Sequence, residues 1–323
     1  MRRGLPALWL CLACATRYDP CFPPGSAIGD LRVLAIRLDP PEILIDPQTL
    51  ESDGRGVFIR ALVAGPTTSS DTVSLRARLC GKAGENGRCP AETQWTAGGR
   101  GPADNLPPMV VVPSAQTIAD ARRGDPLNGF GGTRITIELE VRAADGSIVS
   151  ASKLLVASER KAGSVPNRGL DLVGAVVRRG GGAEERYGDG GLVEIAVGET
   201  VGVSPELAPD SIEEYDTVDL AGQVVHLRER VSYSFYVTPH AQYGAIGTPE
   251  AGADVADEPP PGEPRPERGI VLLSGTAASA GRAYVVARDG RGAEAWLRLD
   301  LAIVERRICN SDTKCRSYET TCK

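Results

Sequence analysis

Aromatic and thioether side chains are scarce in this chain. Its 323 residues include two Met, four Phe, three Trp and eight Tyr, so aromatic residues make up only 5%. Any core must therefore be built mainly from Val, Leu, Ile and Ala, and an apolar content of 41% is sufficient for that. This composition excludes a disordered chain, and the length is enough for about two domains.

Residues that often carry catalysis are also few. The chain has two His, His226 and His240, and it lacks a Gly-x-Ser-x-Gly elbow, a phosphate loop and a His-Glu-x-x-His motif. A pair of carboxylates could hydrolyse glycosides, but spacing along a sequence cannot identify such a pair. We therefore expect a protein that is not an enzyme and that uses no cofactor and no metal.

A concentrated basic surface is missing as well. The net charge is −6 and the isoelectric point is near 5.2. The local basic pairs stand among acidic residues or glycines, and Arg178-Arg179 is an example. Because a nucleic-acid partner requires clustered positive charge, the sequence predicts no nucleic-acid binding.

The beginning of the chain has the pattern of an export signal. Met1-Arg2-Arg3 is followed by about nine apolar-rich residues and then by Cys14, after which the chain becomes polar. A run of that length is too short for a membrane span, which needs roughly 20 residues, but it is typical of a signal peptide. We expect a signal peptide over residues 1–13 and a tether over residues 14–29.

The residues around Cys14 resemble the lipobox of bacterial lipoproteins. Leu12-Ala13-Cys14 follows its last three positions, whereas Cys11 replaces the usual Leu three places before the cysteine. The resemblance implies that Cys14 carries the lipid, that the membrane is a partner, and that the protein lies at the outer membrane or cell surface. The alternative is a secreted protein whose signal is cut elsewhere.

Of the eight cysteines, Cys11 would leave with the signal and Cys14 would carry the lipid, so six remain. An even number in an oxidising compartment favours disulfides. Cys80 and Cys89 flank a Gly-rich loop and are the expected pair. The tail contains an odd number of cysteines, so one of them is expected to reach Cys21. Spacings of six and seven residues and the lack of a nearby His disfavour a zinc site. The tail cysteines are Cys309, Cys315 and Cys322.

Short β-type segments separated by Gly and Pro run through the whole chain. Ile135, Ile137, Leu139 and Val141 alternate with polar residues, as in a half-buried strand. The turns Asp145-Gly146 and Asp289-Gly290 each predict a hairpin. Leu31 to Leu38 is expected to alternate regularly between two faces and to end at Asp39-Pro40. Strand patterns also cover residues 223–239, a Gly/Pro loop is expected before Met109, and the one candidate helix spans residues 114–123.

This pattern predicts an all-β chain of two tandem immunoglobulin-like antiparallel β-sandwich domains. The first is expected over residues 30–158 and the second over residues 166–305, followed by a Cys-rich tail over residues 306–323. The Pro- and acid-rich stretch 248–269 cannot bury apolar area and is expected to form a mobile loop.

Four segments are similar to a family of surface lipoproteins common in myxobacteria. These segments are LRVLAIRLDPPEI (31–43), PNRG (166–169), YSFYVT (233–238) and RDGRGAEAW (288–296). The resemblance implies immunoglobulin-like domains and a location at the cell surface. None of the motifs is catalytic, and the tail after Arg306 does not fit the family.

The functional hypothesis is a surface-anchored lipoprotein that acts as a non-catalytic binding or structural module of the cell envelope, with an envelope protein or a glycan as its partner. The alternative is an accessory module that binds or processes carbohydrate, although the signal would leave only Trp95 and Trp296 as tryptophan contacts. The acidic residues Glu213, Glu214 and Asp216, with Asp210 and Asp219 nearby, are interpreted as a loop between strands. They could suit Ca²⁺, but they lack the spacing of an EF-hand.

Overall fold

The structure is a computed structural model. The structure describes residues 28–52, 54–65, 72–84, 86–127, 129–160, 166–180, 182–219, 221–238, 271–274, 278–305, 308–309 and 315–316. The predicted signal peptide, Cys14, most of the predicted tether and the stretch 248–269 lie outside these residues. No helix within the described ranges is long and apolar enough to cross a membrane.

Two packed sheets form the first sandwich. A three-stranded sheet of order β1-β3-β6 faces a five-stranded sheet of order β2-β8-β7-β4-β5. The elements are β1 (Arg32–Asp39), β2 (Glu42–Ile45), β3 (Val57–Ala64), β4 (Thr72–Cys80), β5 (Ala97–Pro102), β6 (Met109–Val111), α1 (Ala115–Gly124), β7 (Thr133–Arg142) and β8 (Ile148–Glu159).

The second sandwich has two sheets of four strands and a separate hairpin. The sheets have the orders β10-β9-β12-β16 and β11-β18-β17-β15, and the hairpin is β13-β14. The elements are β9 (Leu172–Arg178), β10 (Glu184–Tyr187), β11 (Gly191–Ala196), β12 (Thr200–Leu207), β13 (Glu214–Val218), β14 (Val224–Arg228), β15 (Ser232–Val237), β16 (Val271–Ser274), β17 (Ser279–Arg288) and β18 (Glu294–Val304). In the tail, β19 (Ile308–Cys309) pairs with β20 (Cys315–Arg316).

The all-β, immunoglobulin-like class predicted from the sequence is confirmed. Both units share a topological feature, because an early strand pairs in parallel with the last strand of the unit. In the first unit β2 lies parallel to β8, and in the second unit β11 lies parallel to β18. Each unit otherwise consists of antiparallel pairs and closes with a hairpin, β7-β8 and β17-β18.

The apolar face predicted for β7 is confirmed, but its polar face is not exposed throughout, because Thr136 and Glu138 are buried as well. Ile135, Ile137, Leu139 and Val141 are all fully buried in the core of the first sandwich. The helix is also where the pattern predicted it, and the Ser114 hydroxyl accepts the N–H of Thr117 at its N-terminus. Such a cap satisfies one of the backbone donors that the first helical turn leaves free.

The expected regular alternation of β1 is wrong. The register with β3 shifts between Val33 and Ala35, so Leu34 is an extra residue, and Leu34, Ala35 and Ile36 are buried in succession. A bulge of this kind breaks the two-residue period. Ala35 and Leu34 consequently pack toward the second sandwich, while Ile36 and Leu38 enter the core of the first.

Three other expectations are also corrected. Part of the expected Gly/Pro loop is the edge strand β5, which pairs with β4 although its glycines have no strand preference. The acidic segment taken as a loop contains β13, because it pairs with β14. The strand pattern over residues 223–239 is interrupted between Arg228 and Ser232, so β14 and β15 belong to different sheets.

Candidate functional site

The two sandwiches meet through an apolar contact with its own small core. Leu34, Ala35, Leu62 and Ala64 from the first unit pack with Tyr284 and Val286 from β17. Ile28 is fully buried in the same cluster, and its N–H donates to the Val237 carbonyl at 2.9 Å. Burying apolar side chains from both units favours one fixed relative orientation.

A buried carboxylate reinforces this contact. Glu294 on β18 accepts the backbone N–H of Ile36 at 2.7 Å. Its other oxygen accepts from Lys153 Nζ at 2.8 Å and from Arg288 Nε at 3.1 Å. Arg288 also donates to the carbonyl of Leu34, the residue at the bulge of β1. Each unit therefore donates a hydrogen bond to the other: Ile36 of the first unit donates to Glu294, and Arg288 of the second unit donates to Leu34.

The loop between β17 and β18 is held against the segment that links the units. Asp289 accepts three backbone N–H groups within this loop, those of Arg291, Gly292 and Ala293. Its second oxygen accepts the side-chain amide of Asn167 at 2.7 Å. Gly290 and Gly292 have φ values of 77° and 113°, which L side chains rarely adopt, so this loop geometry requires glycine.

Arg291 connects this loop to three other parts of the molecule. Its guanidinium donates to Glu42 at the start of β2 at 3.1 Å and to Glu229 at 3.0 Å. It also donates to Glu213 and lies over the Tyr215 ring, 4.2 Å from the ring centroid. One planar cation thereby fixes the base of the β13-β14 hairpin relative to both sandwiches.

We call the apolar contact, the Glu294 carboxylate and the loop around Asp289 and Arg291 together the junction. The four segments that carry the family resemblance converge at this junction. Segment 31–43 supplies Ile36 and Glu42, segment 166–169 supplies Asn167, and segment 288–296 supplies Asp289, Arg291 and Glu294. Tyr236 from segment 233–238 packs against the apolar cluster, as Trp296 does. Sequence reasoning treated these motifs as separate turns and strands and did not detect that they form one contact.

A groove of about 940 Å³ lies beside the junction. Its floor includes outward-facing residues of β8 and β2, and its wall is the β13-β14 hairpin. Three of its apolar residues are well exposed, namely Leu154 (46%), Phe130 (42%) and Leu227 (39%). Because its walls belong to both sandwiches, the groove exists only while the junction holds them together.

The exposed face of the hairpin carries His226 between two carboxylates. The His226 Nδ1 lies 2.8 Å from Asp216 and its Nε2 lies 3.5 Å from Glu214. Hydrogen bonds to Asp216 and then Glu214 raise the pKa of His226 above its usual value. His226 is a residue of β14, as the strand pattern predicted, and it lines the groove wall.

The side chain of Glu229 is buried at the base of the same hairpin. It accepts the backbone N–H of Glu213 at 3.0 Å in addition to the bond from Arg291. Burial raises the pKa of Glu229 above its ordinary value, since a charged carboxylate loses hydration there.

The acidic residues considered for calcium have other partners. Glu213 pairs with Arg168 at 2.9 Å and with Arg291, and Glu214 and Asp216 face His226. Asp219 accepts the N–H groups of Ala221 and Gln223 in the hairpin turn. In the described ranges, no group of three or more His, Cys, Asp or Glu is placed to hold a metal ion.

The expected disulfide between Cys80 and Cys89 is present, with Cα atoms 5.6 Å apart. The bridge holds the loop between Cys80 and Cys89 against the outer face of the five-stranded sheet. There Glu138 accepts the N–H of Cys89 and pairs with Arg78. Cys309 and Cys315 are register partners in β19 and β20. Cys21 and Cys322 lie outside the described residues, so the other expected bridges stay predictions.

Both tryptophans that follow the predicted signal are engaged within the protein. The guanidinium groups of Arg76 and Arg78 both stack on the Trp95 ring, at 4.0 and 4.5 Å from its centroid. Trp296 is half-buried against the junction core. These two side chains do not form a common exposed platform for stacking sugar rings.

The fold and the junction define a class of protein, two immunoglobulin-like sandwiches joined as one unit with a groove between them. No protein-family model and no curated protein matches the chain.

Solved structures resemble it only weakly. Red sea bream transglutaminase is 10% identical, with 85% of this chain and 31% of that chain covered and a TM-score of 0.24. Fibronectin(III)-like modules of CbhA from Clostridium thermocellum are 10% identical, with 84% and 95% covered and a TM-score of 0.20. Dimeric latent PorU from Porphyromonas gingivalis is 9% identical, with 85% and 24% covered and a TM-score of 0.21. The chain thus spans less than a third of the transglutaminase, and these similarities carry no argument about activity.

Proposed function

We propose that the protein is an exported lipoprotein, anchored at the outer membrane or cell surface through Cys14, that acts as a non-catalytic binding module of the cell envelope. The groove supports the binding role, because it combines exposed apolar side chains with carboxylates on a rigid frame. Exposed apolar surface that is rimmed by polar residues marks interaction sites.

The export part of the proposal is supported by the segment before Cys14 and by the disulfide between Cys80 and Cys89. Disulfides persist in oxidising compartments and are rare in the cytosol. The alternative, an accessory module for carbohydrate, receives no support from the tryptophans, which contact arginines and the junction core.

Metabolic labelling with a fatty acid tests the anchor. The unsubstituted chain is expected to incorporate label and to fractionate with membranes, whereas Cys14→Ser is expected to lose both. Label that persists in Cys14→Ser, or that is absent from both proteins, would overturn the anchoring proposal.

Photo-cross-linking in intact cells tests the binding role. A benzophenone amino acid at Phe130, in the groove, is compared with the same residue at Phe58, which is similarly exposed at 48% on the other sheet. We expect a discrete cross-linked partner from position 130 and none from position 58. Equal cross-linking from both positions, or none from either, would contradict binding through the groove.

A further inference from the structure

The hairpin strand β13 has an unpaired edge. Across the hairpin, Glu229 N donates to Glu213 O and Asp219 N donates to Gln223 O, each at 2.9 Å. In an antiparallel pair the residues that bond across the ladder alternate with residues whose backbone groups point outward. Glu214 and Asp216 therefore direct their N–H and C=O groups away from β14, and no other described strand pairs with β13 on that side.

This edge borders the groove. Five consecutive residues, 213–217, line it, whereas β8 contributes the alternate residues Leu154, Val156 and Ser158 and then its last residue, Glu159. Alternate residues mark one face of a strand, but consecutive residues mark its edge. The groove thus has a floor made by the outer face of β8 and a wall made by the free edge of β13.

The charge of the groove favours a cationic ligand. Five carboxylates line it, those of Glu42, Glu159, Glu213, Glu214 and Asp216, against the imidazole of His226 and the three arginines Arg134, Arg168 and Arg291. Two of the arginines are paired with Glu213. Glu214 and Asp216 are 62% and 67% exposed, so they remain accessible from solvent beside His226.

The two faces of β13 differ in chemistry. Glu214 and Asp216 point to the same face as His226, and Tyr215 and Leu227 belong to the opposite face. A strand added at the free edge places its alternate side chains next to these two faces in turn. Basic side chains would meet the carboxylates, and apolar side chains on the opposite face would lie beside Tyr215 and the exposed Leu154.

We propose that the groove binds an extended peptide segment of a partner protein, which adds as a strand to the β13 edge and alternates basic with apolar side chains. This inference rests on the proposed role as a binding module and names its ligand class. Backbone hydrogen bonds supply affinity in such strand addition, and the alternate side chains supply specificity.

The probe is a fluorescein-labelled, amidated hexapeptide of alternating Lys and Val, titrated with the purified full chain and followed by anisotropy. Three control peptides are a block peptide of the same composition, an alternating Glu and Val peptide, and the probe with N-methylated valines. We expect the alternating Lys/Val peptide to bind at least about tenfold more tightly than each control, because only it has the charge, the register and the free amides. Equal binding of the block or N-methylated peptide would overturn strand addition, and no binding of the probe would overturn the ligand class.

Substitutions locate the site. Glu214→Gln with Asp216→Asn is expected to weaken the probe about fivefold at low salt, and Leu154→Arg is expected to abolish binding by charge and bulk. Glu51→Gln with Glu92→Gln removes two exposed carboxylates outside the groove and is expected to leave affinity unchanged. A similar loss in this control would overturn the assignment to β13. Failure of the probe while position 130 still cross-links a partner would overturn this inference alone, whereas loss of cross-linking would overturn the proposed function.

Discussion

The carboxylate of Glu294, in the last strand of the second sandwich, accepts the backbone N–H of Ile36, in the first strand of the first sandwich, at 2.7 Å. The two residues are 258 positions apart. This single bond joins the edge of one immunoglobulin-like unit to the centre of the other, at the point where the bulge of β1 has changed its register. The groove beside it depends on this fixed orientation.

Glu294→Gln is expected to weaken the junction. The amide keeps an acceptor for Ile36 but loses the charge that Lys153 and Arg288 require, and leaving these two partly buried cations without a charged partner costs about 2 kcal/mol. Urea denaturation measures the loss. Glu184→Gln is the matched control, because its pair with Arg178 is exposed, and it should cost less than about 0.5 kcal/mol. Equal effects of the two substitutions would contradict the role of Glu294.

Arg291→Ala is expected to release the hairpin from both sandwiches. The substitution removes the partner of Glu42 and Glu229 and the cation over Tyr215, so amide hydrogen exchange in β13 and β14 should accelerate at least about tenfold. Arg186→Ala removes an exposed arginine paired with Glu206 and should leave this exchange unchanged. Unaltered protection in Arg291→Ala would show that the hairpin is held by other contacts.

Stability is expected to depend on pH through Glu229. Its folded pKa is raised by burial, so the folded state holds the proton more tightly than the unfolded state. The contribution of this group to the free energy of unfolding is therefore fully present at low pH, and it declines as pH rises from the ordinary pKa near 4.5 through the raised one. Glu229→Gln should remove this decline, and the two pH profiles of unfolding free energy, measured in urea, should diverge in that window. Parallel profiles would contradict a raised pKa of Glu229 in the folded state.

The disulfide is expected to contribute about 2–3 kcal/mol, the value for a short closed loop. Replacing both Cys80 and Cys89 by Ser should lower the free energy of unfolding by that amount and should loosen the loop that brings the Cys89 N–H to Glu138. Reductant should destabilise the unsubstituted protein more than the double variant. An equal effect of reductant on both proteins would mean that this bridge contributes little.

The sequence predicted the features that depend on local patterns. Alternating apolar residues predicted β7, the Asp-Gly turns predicted the closing hairpins, and the residues from Ser114 predicted the helix α1. Each of these signals is contained within about ten residues, so no distant contact is needed to recognise it.

The junction and the groove could not be predicted in this way. A bulge depends on the partner strand, and the partner of Ile36 N–H is 258 residues away. The interruption between β14 and β15 arises where Glu229 turns inward to Glu213 and Arg291, contacts that the strand-like pattern hides. Edge strand β5 was missed because it is rich in glycine, although the five-stranded sheet provides its pairing.

A distance between the two sandwiches tests the fixed junction most directly. Genetically encoded spin labels at Ile148 and Leu192, exposed positions of the first and second sandwich, would be measured by electron double resonance. The account predicts one narrow distance distribution in the unsubstituted chain and a broad one when Glu294→Gln and Arg291→Ala are combined. A broad distribution in the unsubstituted chain would mean that the sandwiches move independently, and it would contradict a binding groove built from both.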